Sequence, residues 1–541
     1  MENMQKTIRD SVALRWLVLI LLSALTFATY WFQDFFGSMK ELMNTEMGIT
    51  SEEFGRIIGF TTIANMFGMI IVGGIILDKW GIRLAGLAFG GLAVLGAVIS
   101  TMAVYGFFGD DKSTMLTWMI VGRIMFGSGL EVICVVATRT IVKWFKGYEM
   151  ALAMAINMGF GRLGSALGLA ISLDIAGGSV APSVSFAATL IGLALILFVI
   201  YLFFDIRLDK QNINEKKEVE EDFKMSYLLT LLKNKSFLYI ALLCVSFYAA
   251  VFPFIQYAPD LLVNKFGFTY DLPESGNFII FGSTAIGSVL IYLILFIFGL
   301  GFSMVPSKIK ATGGKIASIV IMFLLFGLFI YYLKDVFAVW LTNGPKTSSL
   351  IPMGTILFTP IFGNYVDKHG KAATLMILGA LLLIFAHLSL SIFDSVLLGY
   401  VGLVSLGVAF SLVPAAMWPS VAKIVAENRL GTAYASMFTI QNWGLGLFFW
   451  GIGALLDVVN PAVIKQIANA RQGFIDQGLN SSEITLRIKD MKLNGEIPPF
   501  DYTIPVLILV GCGVISIFLA FLLKKSDKKQ GYGLEIASVK I

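Results

Sequence analysis

The chain has 541 residues, of which 57% are hydrophobic and 14% charged, with a formal net charge of +5. Soluble domains carry roughly 25% charged residues, so this balance and the mean hydropathy of +0.83 exclude an ordinary soluble enzyme. No polar tract is long enough to form a disordered region. Cys134, Cys244 and Cys512 all fall in apolar runs, which leaves neither a disulfide framework nor a metal-ligand spacing. The composition is that of an all-α polytopic membrane protein.

A membrane helix needs roughly 20 mostly apolar residues. In chain order such runs lie at 12–36, 54–77, 83–107, 115–141, 148–174 and 183–206. The first is too long for a signal peptide and has no small-residue cleavage site after it. A charged stretch from Arg207 to Lys235 follows, and further runs lie at 236–262, 275–304, 314–333, 348–366, 372–393, 395–421, 431–456 and 502–523. Fourteen crossings are therefore expected. Lys and Arg mark the cytoplasmic loops. Placing Lys6, Arg9 and Arg15 inside also brings Lys79, Arg83, Lys143, Lys146, the linker, Lys308, Lys310, Lys368, Lys371, Lys423 and the Lys524-to-Lys529 tail to that side. Both termini are expected in the cytoplasm, and the basic balance answers anionic lipid, with no support for nucleic-acid binding.

Two segments repeat. Gly74-Ile-Ile-Leu-Asp78-Lys79-Trp-Gly81-Ile-Arg83 closes the second run, and Gly363-Asn-Tyr-Val-Asp367-Lys368-His-Gly370-Lys371 closes the run 348–366. A deeper pair matches Ala153, Ala155 and Gly164 to Ala433, Ala435 and Gly444. Repeated halves are a signature of secondary transporters, whose substrate sits between them near the midplane.

The Gly-x-x-x-Asp-Lys-x-Gly-x-Arg loop resembles the loop motif of the major facilitator superfamily, and Arg123-Ile-Met-Phe-Gly127-Ser-Gly129 resembles its fourth-helix motif. The resemblance covers nearly the whole chain and implies two six-helix halves. It sets residues 1–206 as one bundle, 207–235 as a cytoplasmic linker, 236–523 as the second bundle and 524–541 as a cytoplasmic tail. The runs 275–304 and 314–333 then form a transmembrane hairpin inserted at 274–334, turning at Pro306-Ser-Lys308-Ile-Lys310. Carrying no charge on its apolar faces, it is expected to be peripheral and lipid-facing, open to a partner or to self-association.

Ala13-Leu-Arg-Trp-Leu-Val-Leu, Glu131, Trp144-Phe-Lys-Gly147, Arg162-Leu-Gly-Ser165, Ala250-Val-Phe-Pro-Phe254, Lys265-Phe-Gly-Phe268 and Leu430-Gly-Thr-Ala-Tyr434 are together similar to one branch. This is the family of major facilitator superfamily domain-containing protein 1, whose animal members are lysosomal dipeptide transporters. That resemblance implies dipeptide transport. A short N-terminus without an acidic dileucine signal favours a bacterial cytoplasmic membrane over a lysosome, which rests on family analogy alone.

An ionisable residue within a membrane helix costs at least ~2.5 kcal/mol on insertion scales. Glu131 and Arg162 lie near the middle of neighbouring runs, and packed axes roughly 8–10 Å apart let their side chains reach one space. One reading is a clamp in which Arg162 holds a carboxylate through its planar fork and Glu131 holds an ammonium; an extended dipeptide spans roughly 7 Å between its ends. The other reading is mutual neutralisation. Glu131 is also a candidate proton carrier. Asp34, after Tyr30-Trp31-Phe32, is expected at a helix end lining the outer vestibule or solvated there, and Tyr248 and Trp418 as cavity walls or packing. Asn442 stands at the repeat position of Arg162. Arg123 is expected to be structural or near the proton path, His387 a satisfied core residue and His369 a solvated loop residue.

Resemblance to the superfamily also implies gating. Asp78, with Lys79 and Arg83, would hold the run 431–456 near Thr432. Asp367, with Lys368, would hold the run 148–174 near Tyr148. Each carboxylate would sit against a helix N-terminus, locking the cytoplasmic side in an outward-open state. The loop 461–493, with Ile464, Ile467, Phe474 and Ile475 at helical spacing, is expected on the membrane surface, and Asn480-Ser-Ser482 is a chance-level glycosylation sequon. The leading function is rocker-switch transport of dipeptides or similar zwitterions, with or without protons. Transport of organic or inorganic anions through Arg162, or a transport-inactive sensor or scaffold, are the alternatives. No nucleotide loop, histidine-rich metal set or nucleophile–base pair points to an enzyme, a cofactor or a metal.

Overall fold

A computed structural model describes residues 7–211, 230–426 and 429–537. Thirteen of its helices are long and apolar enough to cross a membrane. The chain opens with α1 (Val12–Asp34) and α2 (Phe36–Met47), which form one continuous span. Next come α3 (Ser51–Gly59), α4 (Ile63–Met66) and α5 (Met69–Val104). Helix α5 is interrupted at Gly81, whose φ of 75° suits a residue without a side chain. The motif loop of the second run therefore sits at a sharp break between two helical stretches. Helices α6 (Lys112–Phe145), α7 (Met150–Ala176) and α8 (Val180–Gln211) complete a first packed set.

The second set begins with α9 (Lys235–Phe266), capped by Asn234 on the amides of Ser236 and Phe237 and ended by Gly267 in the left-handed region. Helices α10 (Thr284–Lys308), α11 (Thr312–Tyr332) and the short α12 (Lys334–Trp340) follow. Then come α13 (Gly344–His369), α14 (Ala372–Ser391), α15 (Val396–Ile424), α16 (Leu430–Val459), α17 (Pro461–Asp476), α18 (Ser481–Leu493) and α19 (Thr503–Gln530). Helices α9, α13–α16 and α19 pack on one another as the second set.

Close backbone approach holds each set together, as small residues allow in membranes. A Cβ on Gly164 of α7 would stand 2.2 Å from the Phe27 carbonyl oxygen of α1, and one on Gly444 of α16 would stand 2.7 Å from Val245 of α9. The two repeat glycines thus do the same work in the two sets, each against the first helix of its own set.

Three expectations change. The run 12–36 does not end near Asp34, because the chain stays helical through Phe35 into α2 and reaches Met47. The hairpin starts at Thr284 instead of 275, after an irregular stretch bridged at Thr269 to Asn343. The 461–493 loop packs part of its apolar face on the protein. Its helices α17 and α18 bury Val463, Ile467, Ile484 and Ile488 against the protein, and Lys492 pairs with Glu41 of α2 at 2.6 Å. The apolar spacing was real, but the protein's own surface satisfied it. Asn480 caps α18 in a reciprocal box with Glu483.

The face opposite the chain ends, here called the far face, gathers polar contacts between the sets. Lys40 of α2 and Asp260 of α9 form a buried pair at 2.6 Å, and Asp260 also accepts from Tyr270 and Tyr502. Lys346 of α13 pairs with Asp174 of α7 at 2.7 Å. Asp457 of α16 accepts the Ser51 and Glu52 amides at 3.0 and 2.9 Å, a carboxylate set against the positive end of α3. At the chain-end face Arg83 and Lys143 both grip Asp205 and Asp209 of α8, within the first set. The molecule is closed at the far face.

The C-terminal segment folds back onto the second motif loop. The Lys371 and Ala372 amides donate to Glu535 and Leu534 carbonyls, and the Glu535 carboxylate takes the Thr374 amide and hydroxyl at 3.0 and 2.6 Å. Burial pushes the Glu535 carboxyl up, but the Thr374 hydrogen bonds and the Lys524 ammonium outweigh it and hold it below the usual glutamate range. A depressed folded value means docking is at full strength above about pH 4.3, the unfolded value, and fades as pH falls further. A spin label at the exposed Ile536 should report low mobility at pH 7 and rising mobility below pH 4. Unchanged mobility across that window would contradict the Glu535 anchor.

Candidate functional site

Glu131 is carried by α6 and Arg162 by α7, each half-buried. Their placement follows from glycines. On α6, a Cβ at Gly127 would stand 1.9 Å from the Thr61 carbonyl oxygen, so this helix presses against the α3–α4 connection, and Glu131 lies one turn further along the same face. On α7, Gly161, Gly164 and Gly168 all rest on α1, which turns Arg162 onto the adjacent face.

Both charges look across the interface between the sets. The Arg162 guanidinium lies 4.5 Å from the ring centre of Phe410 on α15 and 5.8 Å from that of Phe252 on α9. Cation–π contact of this kind suits a charge removed from bulk water. Glu131 faces the Asn442 side chain of α16, whose amide donates to the Phe438 carbonyl at 2.9 Å. Tyr30 of α1 stands within electrostatic reach of both Glu131 and Arg162, beside Cys134. No ion pair joins Glu131 to Arg162 among the described residues.

The aromatic wall is continuous. Tyr248 stacks on Phe252 at 5.3 Å, and its hydroxyl accepts from the Trp418 indole at 3.0 Å. Trp418 stacks in turn on Phe438 at 4.8 Å, and Tyr434 bonds the Trp418 carbonyl. Six of the seven residues expected to bind substrate come together here: Glu131, Arg162, Tyr30, Tyr248, Trp418 and Asn442.

Asp34 departs from its expected place. It is buried within the span at the α1–α2 junction, accepts from Gln256 of α9 at 2.7 Å and lies within electrostatic reach of Arg162 and Arg123. The physical reason is the uninterrupted helix beyond it, which moves the far end of the span from Asp34 to Met47.

The residues expected to gate do not make the contacts expected of them. Asp78 pairs at 2.5 Å with Arg139 of α6, inside its own set, and Arg83 engages α8. Lys79, Asp367, Lys368 and His369 are exposed. Tyr148 bonds Asp10 and lies under the Arg15 guanidinium at 3.8 Å, away from Asp367. Among the described residues the Lys40–Asp260 and Lys346–Asp174 ion pairs across the sets lie at the far face, and Asp78 pairs within its own set. Met158, one turn below Arg162 on the same face of α7, is 58% exposed. Arg123 is fully buried and binds the backbone carbonyls of Phe32, Gln33 and Ile57 amid the Phe32, Phe36 and Phe126 rings. It secures the α1–α2 junction against α3. His387 is a buried core residue between the Leu383 and Ala250 carbonyls.

Sequence reading missed Phe252, Phe410 and Gln256, whose residue types give no signal inside apolar runs. It also missed the Lys40–Asp260 pair. Asp260 carried a signal, being a carboxylate inside the run 236–262.

A two-set helical fold with charged and aromatic residues facing one another across the interface defines a multi-pass membrane carrier, not an enzyme. The chain belongs to the Major Facilitator Superfamily, whose family model matches residues 17–344. It stands close to the lysosomal dipeptide transporter MFSD1 family: it is 25% identical over 456 residues to the Danio rerio protein, covering 82% of this chain and 81% of that one. The Homo sapiens protein is 25% identical over 461 residues, with 82% and 81% covered. Among solved structures, a bacterial homolog of the human lysosomal transporter Spinster superposes with a TM-score of 0.57 at 11% identity, covering 96% of this chain and 98% of that one. The nucleoside transporter NupG gives 0.54 at 14% identity, covering 94% and 99%. Such identities speak for the fold alone.

Proposed function

We infer that the protein carries dipeptides, or similar small zwitterions, across a membrane by rocker-switch alternating access. The observation that supports this most is the unpaired opposition of Glu131 and Arg162 around Tyr30 at the interface between the sets. A carboxylate and a guanidinium that neutralised each other would form an ion pair. Left apart in a partly solvated space, they offer one end each to a molecule that carries both charges. The aromatic wall from Phe252 to Phe438 suits apolar side chains without demanding one in particular, and the relatedness to dipeptide transporters points to the same cargo.

The architecture that goes with this reading has fourteen crossings, because Gly81 splits α5 into the second and third spans. Residues 1–206 and 236–523 then form two six-helix bundles joined by a cytoplasmic linker, with the hairpin inserted in the second. Both termini lie in the cytoplasm, in a bacterial cytoplasmic membrane, and the conformation described is the inward-facing one. In the outward-facing state Asp78 and Asp367 would take up the contacts near Thr432 and Tyr148.

Uptake of a labelled dipeptide into vesicles containing the purified protein, at pH 5.5 and 7.5, tests the assignment. Glu131→Gln should abolish most uptake whether Glu131 holds an ammonium or a proton. Uptake and pH dependence both untouched by Glu131→Gln would remove Glu131 from the mechanism. Uptake of dicarboxylates in place of dipeptides would transfer Arg162 to an anion site.

A further inference from the structure

The inserted hairpin does not float beside the protein. Its second helix, α11, buries none of its residues, but α10 buries Ile291, Tyr292 and Phe296 on one face. That face meets both sets at once. Tyr292 hydrogen-bonds Ser349 of α13 at 2.5 Å and stacks at 5.5 Å on Trp340, whose indole donates to the Gly276 carbonyl. Gly299 lies against Ile356 of α13. On the other side Phe296 packs on Phe160 of α7 with centroids 5.4 Å apart, and a Cβ at Gly159 would stand 3.0 Å from its ring.

The two attachments differ in kind. Toward α13 there are a hydrogen bond and, through Trp340 of α12, a stacked pair and the chain connection; toward α7 the described residues show apolar contact over a glycine. Hydrogen bonds and stacked rings fix a register, whereas a smooth apolar contact permits sliding. The position on α7 is also informative. Around this helix Gly161 and Gly164 face α1, Met158 and Arg162 face the interface between the sets, and Gly159 is the next position round, where α10 sits. Near the far face α7 and α13 are joined by Asp174 and Lys346. Toward the chain-end face α13 is more open: Ile361 and Tyr365 are exposed, and nothing stands within 4 Å of a Cβ at Gly363.

We propose that α10 is a lateral seal. It moves with the second set and covers the membrane-facing seam between α7 and α13, so that the space holding Arg162 and Glu131 opens to water and not to lipid. The consequence is specificity by route of entry: solutes arriving from water reach the site, and amphiphiles dissolved in the bilayer do not. The purpose rests on the transport reading, but the seal itself is a matter of geometry and is tested without transport.

The test is a bimane fluorophore on Met158→Cys, in the full chain with Cys134, Cys244 and Cys512 replaced, in vesicles with and without brominated phospholipid. A lipid-facing control carries the fluorophore on Phe323→Cys of α11, a residue 63% exposed. The expected result is strong quenching of the control and several-fold weaker quenching at 158. Tyr292→Ala with Phe296→Ala should raise quenching at 158 to near the control level, and Gly159→Leu should do so independently by displacing Phe296. Quenching at 158 equal to the control in the intact protein would overturn the seal. So would unchanged quenching in both anchor variants while they remain folded and monodisperse. A protein that passes this test and binds no dipeptide keeps the seal and loses only the proposed cargo.

Discussion

Asp260→Asn should open the far face and cost about 3–5 kcal/mol of stability, the range for a buried ion pair that loses one partner. Lys40 is 3% exposed and Asp260 fully buried. Removing the carboxylate strands an ammonium over the Phe500 and Tyr502 rings, beside Tyr270 and Tyr502 hydroxyls that had been donating to Asp260. Because this pair joins α2 to α9 only while the far face is shut, relief comes either by unfolding or by parting the sets there. Spin labels at the exposed Tyr105 and Val458, one on each set, should then move apart. Lys40→Met with Asp260→Leu should recover most of the lost stability, since a buried pair is often replaced by apolar side chains at no net cost. An unaltered melting temperature and label distance in Asp260→Asn would show that the pair does not hold the gate.

Arg162→Lys should weaken dipeptide binding by about ten- to a hundredfold, although the charge is kept. A charge-assisted hydrogen bond contributes about 1.5–3 kcal/mol, and each 1.4 kcal/mol is tenfold in affinity. Lysine loses both features that geometry gives Arg162: the planar fork for a carboxylate and the flat face stacked on Phe410. Phe410→Leu should give a smaller loss, because it removes the platform but leaves the fork. Equal affinities in wild type and Arg162→Lys would mean that Arg162 contributes only a distant charge.

Much of this arrangement was legible in the sequence where a residue contradicted its surroundings. Glu131 and Arg162 stand out because a charge amid apolar helix needs a reason to be there, and the repeated Gly-x-x-x-Asp-Lys segments mark helix ends by composition alone. Phe252 and Phe410 were illegible for the opposite reason: an aromatic residue in an apolar run looks the same whether it meets lipid, core or a guanidinium. Asp34 was misplaced because Lys40 and Glu41 interrupt the hydropathy signal. The helix runs on beneath them, and Lys40 is neutralised by Asp260, some 220 positions away. In the 461–493 segment periodicity tells only that a face is buried, and here part of that face meets the protein, with α18 against α2. The gating residues are a different case. On the proposed alternating-access reading their contacts would form in the outward-facing state, which the sequence motif alone does not tell apart from the state described.

The zwitterion clamp is tested most directly by thermal stabilisation of purified protein with a dipeptide, its N-acetylated form and its C-terminal amide, against wild type, Glu131→Gln and Arg162→Ala. A ligand that binds only the folded protein must stabilise it by mass action, and coupling between a ligand group and a residue shows as non-additivity. The free dipeptide should stabilise wild type most. Acetylation should cost as much as Glu131→Gln and nothing further in that variant, and amidation should stand in the same relation to Arg162→Ala. Losses that simply add, or end-blocked dipeptides that stabilise wild type as well as the free one, would contradict the clamp.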